Sequence, residues 1–486
     1  MVSSSLSPFV VDSTARESGC GHSCRSNSLE PIRFLLVASR SGWFQSVGVS
    51  RAAKSFAAAG STNQSRETAY IQTVGLTATT PRGPGSGWVW RRLCLTLAFF
   101  QLVAVQSVAF EPLPRTAPEA LGIDSAAVDR FLRELDRVVG AQSVVVVHRD
   151  QVVAEAYWSG SASTLRHVRS VTKSVSSTLI GIAVDRGFID DIDARMVDYL
   201  PANLVPADAA KDQILLRHLL THTSGFEWEE NREFSTWAGS NNPVRFILNR
   251  PLVEVPGSDF NYSTPGSHVL SAILREASGL GVEDFAEAYL FAPLGISTWR
   301  WEDDPQGFPF GGHGLELRTE DMAKLGILFL NRGRWGDRQV VPADWVRSAT
   351  AVQYRGGSSW GSLDGVSYGH LWWIAAADES DIFMALGWGG QIVFCVPALD
   401  LVVATNADWR LDAETADAHE RAILEVIVED LLPIIPVRHR PPYRASGRTL
   451  PSAAVSAKAL MPEDSWGLPT LNFEPDHRWP RSEKIR

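Results

Sequence analysis

Cysteine is scarce in this chain. Four occur in 486 residues, Cys20, Cys24, Cys94 and Cys395, too scattered for a disulfide framework or a zinc site of paired thiols. An excess of positive charge is also missing. The formal net charge is -10, which argues against nucleic acid as a partner, because its binders carry basic faces. No segment repeats another. Metal-ligand patterns are incomplete: His218 and His222 are spaced as a helical pair but lack a placed third ligand. Asp190, Asp191 and Asp193 lack the glycine and glutamate of a calcium loop. The histidines read as buried structural residues and the acidic cluster as a solvated turn. No metal or organic cofactor is implied.

What is present is the composition of a globular protein, 45% hydrophobic and 21% charged. Residues 1–87 are rich in Ser, Gly, Ala and Arg without a sustained helical or strand period, and are expected to be disordered or absent from the native product. Residues 88–109 carry Arg91-Arg92, an apolar run from Leu93 to Val105, and Ser107-Val108-Ala109. That order predicts a secretory signal cleaved before Phe110, hence a periplasmic or secreted product with no stable membrane span. An uncleaved anchor or an apolar core segment would share the pattern. A signal normally opens a protein, so the start is expected further downstream. No methionine lies between Met1 and Met196, so such a start would be non-ATG, for instance at Val89.

From Phe110 onward, Asp124 or Ser125 can cap a helix whose stripe is Val128, Phe131, Leu132, Leu135 and Val138. Ser143 to Val147 and Val152 to Trp158 predict a hairpin, as do Gln391 to Val396 and Leu401 to Thr405. A last helix is expected over about 413–432, stopped by Pro433. Strands near both ends with helical signals between them imply an α/β (α+β) fold, one antiparallel sheet built from distant parts of the chain with a helical insertion at about 175–310. This domain spans 115–432, and residues 437–486 form a loosely ordered tail.

Three elements carry chemistry. Ser170 and Lys173 stand one helical turn apart. A serine hydroxyl needs a base, and a lysine serves only with a lowered pKa. The helix that follows predicts a buried stripe of Val171, Val175, Leu179 and Ile182, with Ser170 in its first turn, where free N–H groups favour an oxyanion. Tyr262 lies in a turn before another helix, and its phenol beside a lysine ammonium would ionise more easily and exchange protons. Gly387-Trp388-Gly389-Gly390 opens the last hairpin, and the N–H groups of Trp388 and Ser170 would form an oxyanion hole.

Together these residues resemble the serine β-lactamase and penicillin-binding-protein superfamily, in its class C-like branch with esterases and 6-aminohexanoate-dimer hydrolases. Ser170-Val171-Thr172-Lys173-Ser174 matches the nucleophile motif. Leu216 to Gly225 and Thr319 to Asn331 look like segments typical of the branch, and Tyr262-Ser263-Thr264 lies where the family has Tyr-x-Asn. The resemblance implies a β-lactamase/transpeptidase-like fold, with Ser170 acylated and Lys173 and Tyr262 exchanging its proton. Two departures matter. Thr264 replaces an asparagine with a hydroxyl supplying one hydrogen bond. Ala385-Leu386-Gly387 stands where β-lactamases have Lys-Thr-Gly, so the cation that meets a β-lactam carboxylate is absent.

The expected activity is therefore hydrolysis of a small-molecule carboxylic ester or amide. Alternatives are a β-lactamase or D-alanyl carboxypeptidase that binds the carboxylate elsewhere, and a non-catalytic cell-wall ligand-binding protein on the same fold. Thr264, Gly387, His313 and His370 are candidate substrate contacts, and Trp388 is the tryptophan expected to wall the pocket.

Overall fold

The computed structural model describes residues 112–377 and 380–437, and separately a short antiparallel pair, Ile32–Phe34 with Val47–Val49. The signal-like segment 88–109, the remainder of 1–87 and the tail beyond Val437 lie outside the described residues.

One sheet organises residues 112–437. Its strands are β1 (Ala141–His148), β2 (Gln151–Tyr157), β3 (Tyr354–Trp360), β4 (Leu363–Tyr368), β5 (Trp373–Ala377), β6 (Ser380–Gly387), β7 (Gln391–Val396) and β8 (Leu401–Ala407). Their order is β3-β4-β5-β6-β7-β8-β1-β2, all antiparallel. The β1–β8 pairing, with Val146 opposite Val403, joins the two ends of the domain. Side chains alternate along a strand, yet Val144 to Val147 are all buried. Val145 and Val147 belong to one core and Val144 and Val146 to the other, so both faces of the sheet are covered. That explains a continuous apolar run where a half-solvated antiparallel sheet would alternate.

On one face lie α1 (Ser125–Arg137), capped by Asp124 as expected, and the C-terminal helix. On the other lie α2 (Val171–Asp185) and the helices that follow: α3 (Leu216–Leu220), α4 (Glu230–Ala238), α5 (Pro243–Leu248), α6 (Thr264–Ser278), α7 (Val282–Ala286) and α8 (Thr319–Leu330). Beyond them come α9 (Ala343–Ala349) and α10 (Ala413–Val426). The single helix expected over 413–432 changes pitch after Val426, passing through a wide turn, Ile427–Leu431, before Pro433.

A larger correction concerns α2. A one-sided apolar stripe was expected, but every residue from Val171 to Ala183 is buried. Its hydroxyls make this possible. Ser174 Oγ donates to the Leu371 carbonyl at 2.7 Å and Ser176 Oγ to that of Gly311 at 2.7 Å. The polar residues thus satisfy loop carbonyls that would otherwise be buried without a partner.

Candidate active site

Ser170 is held at the start of α2 by an unusual turn. Arg169 before it has φ +50°, a left-handed conformation that a residue with Cβ rarely adopts. The Arg169 amide donates to His167 Nδ1 at 3.0 Å, and its guanidinium lies 4.7 Å from the Trp409 ring centre. A serine in this position ordinarily caps the helix with its own oxygen. Ser170 makes no such cap, and its Oγ meets Lys173.

Lys173 is 1% exposed. Its Nζ donates to Ser170 Oγ at 2.9 Å, to Thr264 Oγ1 at 2.8 Å and to the Gly312 carbonyl at 2.9 Å. All three directions of the ammonium are therefore used. Burial pulls its pKa down to about 7, with Glu230 opposing the fall and Arg169 adding to it. Gly312 must be a glycine for this contact, since a Cβ there would lie 2.7 Å from the Thr264 carbonyl oxygen.

Tyr262 approaches differently from expectation. Its ring, not its hydroxyl, faces the lysine, with Nζ 4.7 Å from the ring centre. The hydroxyl makes no hydrogen bond of ordinary geometry. Its pKa is raised, first by burial and then by the Glu230 charge, with Ser170 pulling the other way. The expectation of an easily ionised phenol is thus corrected: at rest Tyr262 is a neutral proton donor. His222 holds it in place. The Asn261 amide donates to the His222 carbonyl at 2.8 Å and the Ser263 amide to His222 Nδ1 at 3.2 Å. Both neighbours of Tyr262 are anchored on one buried residue, His222, one on its carbonyl and one on its imidazole, with its backbone at φ +57°.

Thr264 also differs from expectation. Its hydroxyl makes two bonds, accepting from Lys173 and donating to Glu230 Oε1. Glu230 Oε2 accepts from the Thr264 amide at 2.9 Å and from Trp228 Nε1 at 2.6 Å. Glu230 is the residue the sequence reading missed. The available signal was the loss of asparagine at 264, which leaves the lysine in need of another polar partner.

β6 ends against the turn before α2. A Cβ on Gly387 would lie 2.4 Å from the Val168 carbonyl oxygen and 3.1 Å from Arg169 Cβ. This close approach brings Trp388, the residue after β6, to the turn that carries Ser170. Ala385, one pleat back, is buried against Val171, Ser174 and Val175 of α2. A small apolar side chain fits there, and no cation is presented.

His313 follows Gly312, stacks 4.3 Å from Phe310, and keeps Nε2 buried without a partner. His370 is not brought to this cluster. It packs on Trp345 at 5.4 Å, and Trp345 covers Gly181, about two turns along α2 from Lys173. Among the described residues, His167, Glu302 and His313 bring ligand-type atoms within 4.8 Å of one another. His167 Nδ1 accepts the Arg169 amide, so its proton sits on Nε2, the atom facing Glu302 at 3.9 Å. With the Arg169 cation also alongside, this set suits a hydrogen-bonded cluster better than a cation.

A two-faced antiparallel sheet with a buried Ser-x-x-Lys helix packed on one face defines a hydrolase of the β-lactamase-like type. Residues 128–427 match the family described as Beta-lactamase, and the chain belongs to that family. The chain is similar to a 6-aminohexanoate-dimer hydrolase of Paenarthrobacter ureafaciens, 25% identical over 57% of this chain and 74% of the relative. It is 29% identical to Esterase EstB of Burkholderia gladioli over 37% of this chain and 53% of that enzyme. A putative 6-aminohexanoate-dimer hydrolase from Bacillus anthracis shares the fold, with TM-score 0.53, 20% identity, and coverage of 61% of this chain and 81% of that one.

Proposed function

We propose that this chain is a serine hydrolase acting on carboxylic esters or amides through an acyl-enzyme on Ser170. The observation that carries the reading is the buried Lys173 amine, 2.9 Å from Ser170 Oγ with its pKa pulled down to about 7. A lysine in that state is a base at neutral pH. The neutral amine takes the Ser170 proton as Oγ attacks the substrate carbonyl carbon. The N–H groups of Ser170 and Trp388 then hold the oxyanion. As the tetrahedral intermediate collapses, the Tyr262 phenol protonates the leaving alcohol or amine. Water, deprotonated by the same groups, releases the acid and restores Ser170.

Esters or uncharged amides are favoured as substrates because Ala385 presents no cation to a carboxylate. The names of the 6-aminohexanoate-dimer hydrolase and esterase relatives point the same way. His313, with its unpartnered Nε2, is the side chain best suited to meet a substrate hydrogen-bonding group. A panel of p-nitrophenyl esters, aminohexanoate amides and a chromogenic cephalosporin tests the reading. Ester or amide turnover that disappears in Ser170→Ala is expected, and fast cephalosporin turnover would favour the β-lactamase alternative. Export is part of the proposal, checked by N-terminal sequencing, with Phe110 as the expected first residue.

A further inference from the structure

We propose that Glu230 sets the protonation state of Lys173 through the Thr264 hydroxyl, the three groups sharing one proton. The inference rests on the reading of Lys173 as the base for Ser170. Lys173 Nζ donates to Thr264 Oγ1 at 2.8 Å, and that oxygen donates its own proton to Glu230 Oε1. The chain of donors has one direction, from ammonium to carboxylate.

The transfer balances. The Lys173 ammonium gives a proton to Thr264 Oγ1 as the original hydroxyl proton passes to Glu230 Oε1. The products are a neutral amine, an intact hydroxyl and a carboxylic acid, with no change in net charge. The amine then turns its lone pair to Ser170 Oγ. Burial favours this exchange, because it replaces two buried charges by two neutral groups. The shifts agree in sign: burial lowers Lys173 and raises Glu230. Other groups face the pair. Arg169 lowers the lysine further, the Glu230 charge raises Tyr262, and His222 and His313 are held neutral beside the lysine. None of these offers Lys173 a hydrogen-bonded route for its proton; Thr264 does.

Trp228 Nε1 and the Thr264 amide fix the other carboxylate oxygen, so Glu230 is a positioning residue with a locked orientation. The arrangement also accounts for Thr264: where an amide would donate to one partner and accept from another, here the hydroxyl does both.

The test is the pH dependence of kcat/KM for p-nitrophenyl acetate in the full chain. Glu230→Gln keeps the shape but removes the charge that holds Lys173 protonated, so the acid limb is expected to move down by roughly 1–3 pH units. Thr264→Val severs the contact and should lower kcat/KM by about 10–100-fold, and Thr264→Ser should restore it to within about threefold. A structural role alone would lower the rate at every pH and leave the limb where it was. That result, or failure of Thr264→Ser to rescue, overturns the proposal. No hydrolysis by the wild type would sink the Ser170 reading as well, whereas hydrolysis with an unmoved limb in Glu230→Gln sinks this one alone.

Discussion

Lys173 combines full burial, three hydrogen bonds and a pKa near neutrality. If it is the base, kcat/KM must rise as pH climbs through about 7 and fall below it, because only the unprotonated amine accepts the serine proton. A pH–rate profile with no limb between pH 5 and 8.5 would contradict that role. Lys173→Met should cost about 10²–10⁴ in rate. Tyr262→Phe separates chemistry from packing. The hydroxyl makes no hydrogen bond of ordinary geometry, so stability should change by less than about 1 kcal/mol, while kcat falls by about 10²-fold or more. Thermal melts and steady-state kinetics on one preparation measure both. Ser170 and Lys173 stood out in the sequence because their spacing is local, and Tyr262 because it stands in a turn before a helix and in the family's order. Glu230 did not, since its role arises only where the chain folds it onto Thr264, and a glutamate at a helix start looks like any surface charge. His222 was read as structural, and what no pattern could show is that it anchors both neighbours of Tyr262.

The elements place these groups through close approaches that tolerate no extra atom. Gly181 of α2 lies under Trp345, and a Cβ there would be 2.3 Å from the ring. Gly181→Ala should therefore destabilise by about 1–3 kcal/mol through overpacking, even though alanine favours helix. A denaturant titration showing no loss would mean that α2 has room to shift. Gly387→Ala pushes β6 away from the Val168–Arg169 turn and should lower kcat by about 10–100-fold, with a loss of stability of the same order as that of Gly181→Ala. The hairpins and the N-cap of α1 were legible from alternation and side-chain type. The full burial of α2 was not, because its serines and threonines read as a polar face until the distant loop carbonyls that Ser174 and Ser176 meet are known.

At the scale of the molecule, strands from both ends of the domain close one sheet, and α10 with the turn after it covers one face. Ile423, Leu424, Ile427 and Leu431 are buried there. A chain ending at Val437 should keep a single cooperative melting transition, whereas one ending at Asp412 should lose it, because β8, β1 and α1 would then expose their shared core. Circular dichroism melts of the two truncations check this. That distant strands pair was legible from their positions in the chain, since a helical stretch between two sets of strands leaves few other arrangements. Which helices crowd around Ser170 was not, because that depends on contacts between residues far apart in sequence. The proposed chemistry turns on one event at Ser170. Intact-protein mass spectrometry after brief exposure to p-nitrophenyl acetate measures it directly. A single acetyl adduct mapping to Ser170, and absent in Ser170→Ala, is the predicted result. Turnover without an adduct on Ser170, or an adduct that survives the substitution, would contradict the account.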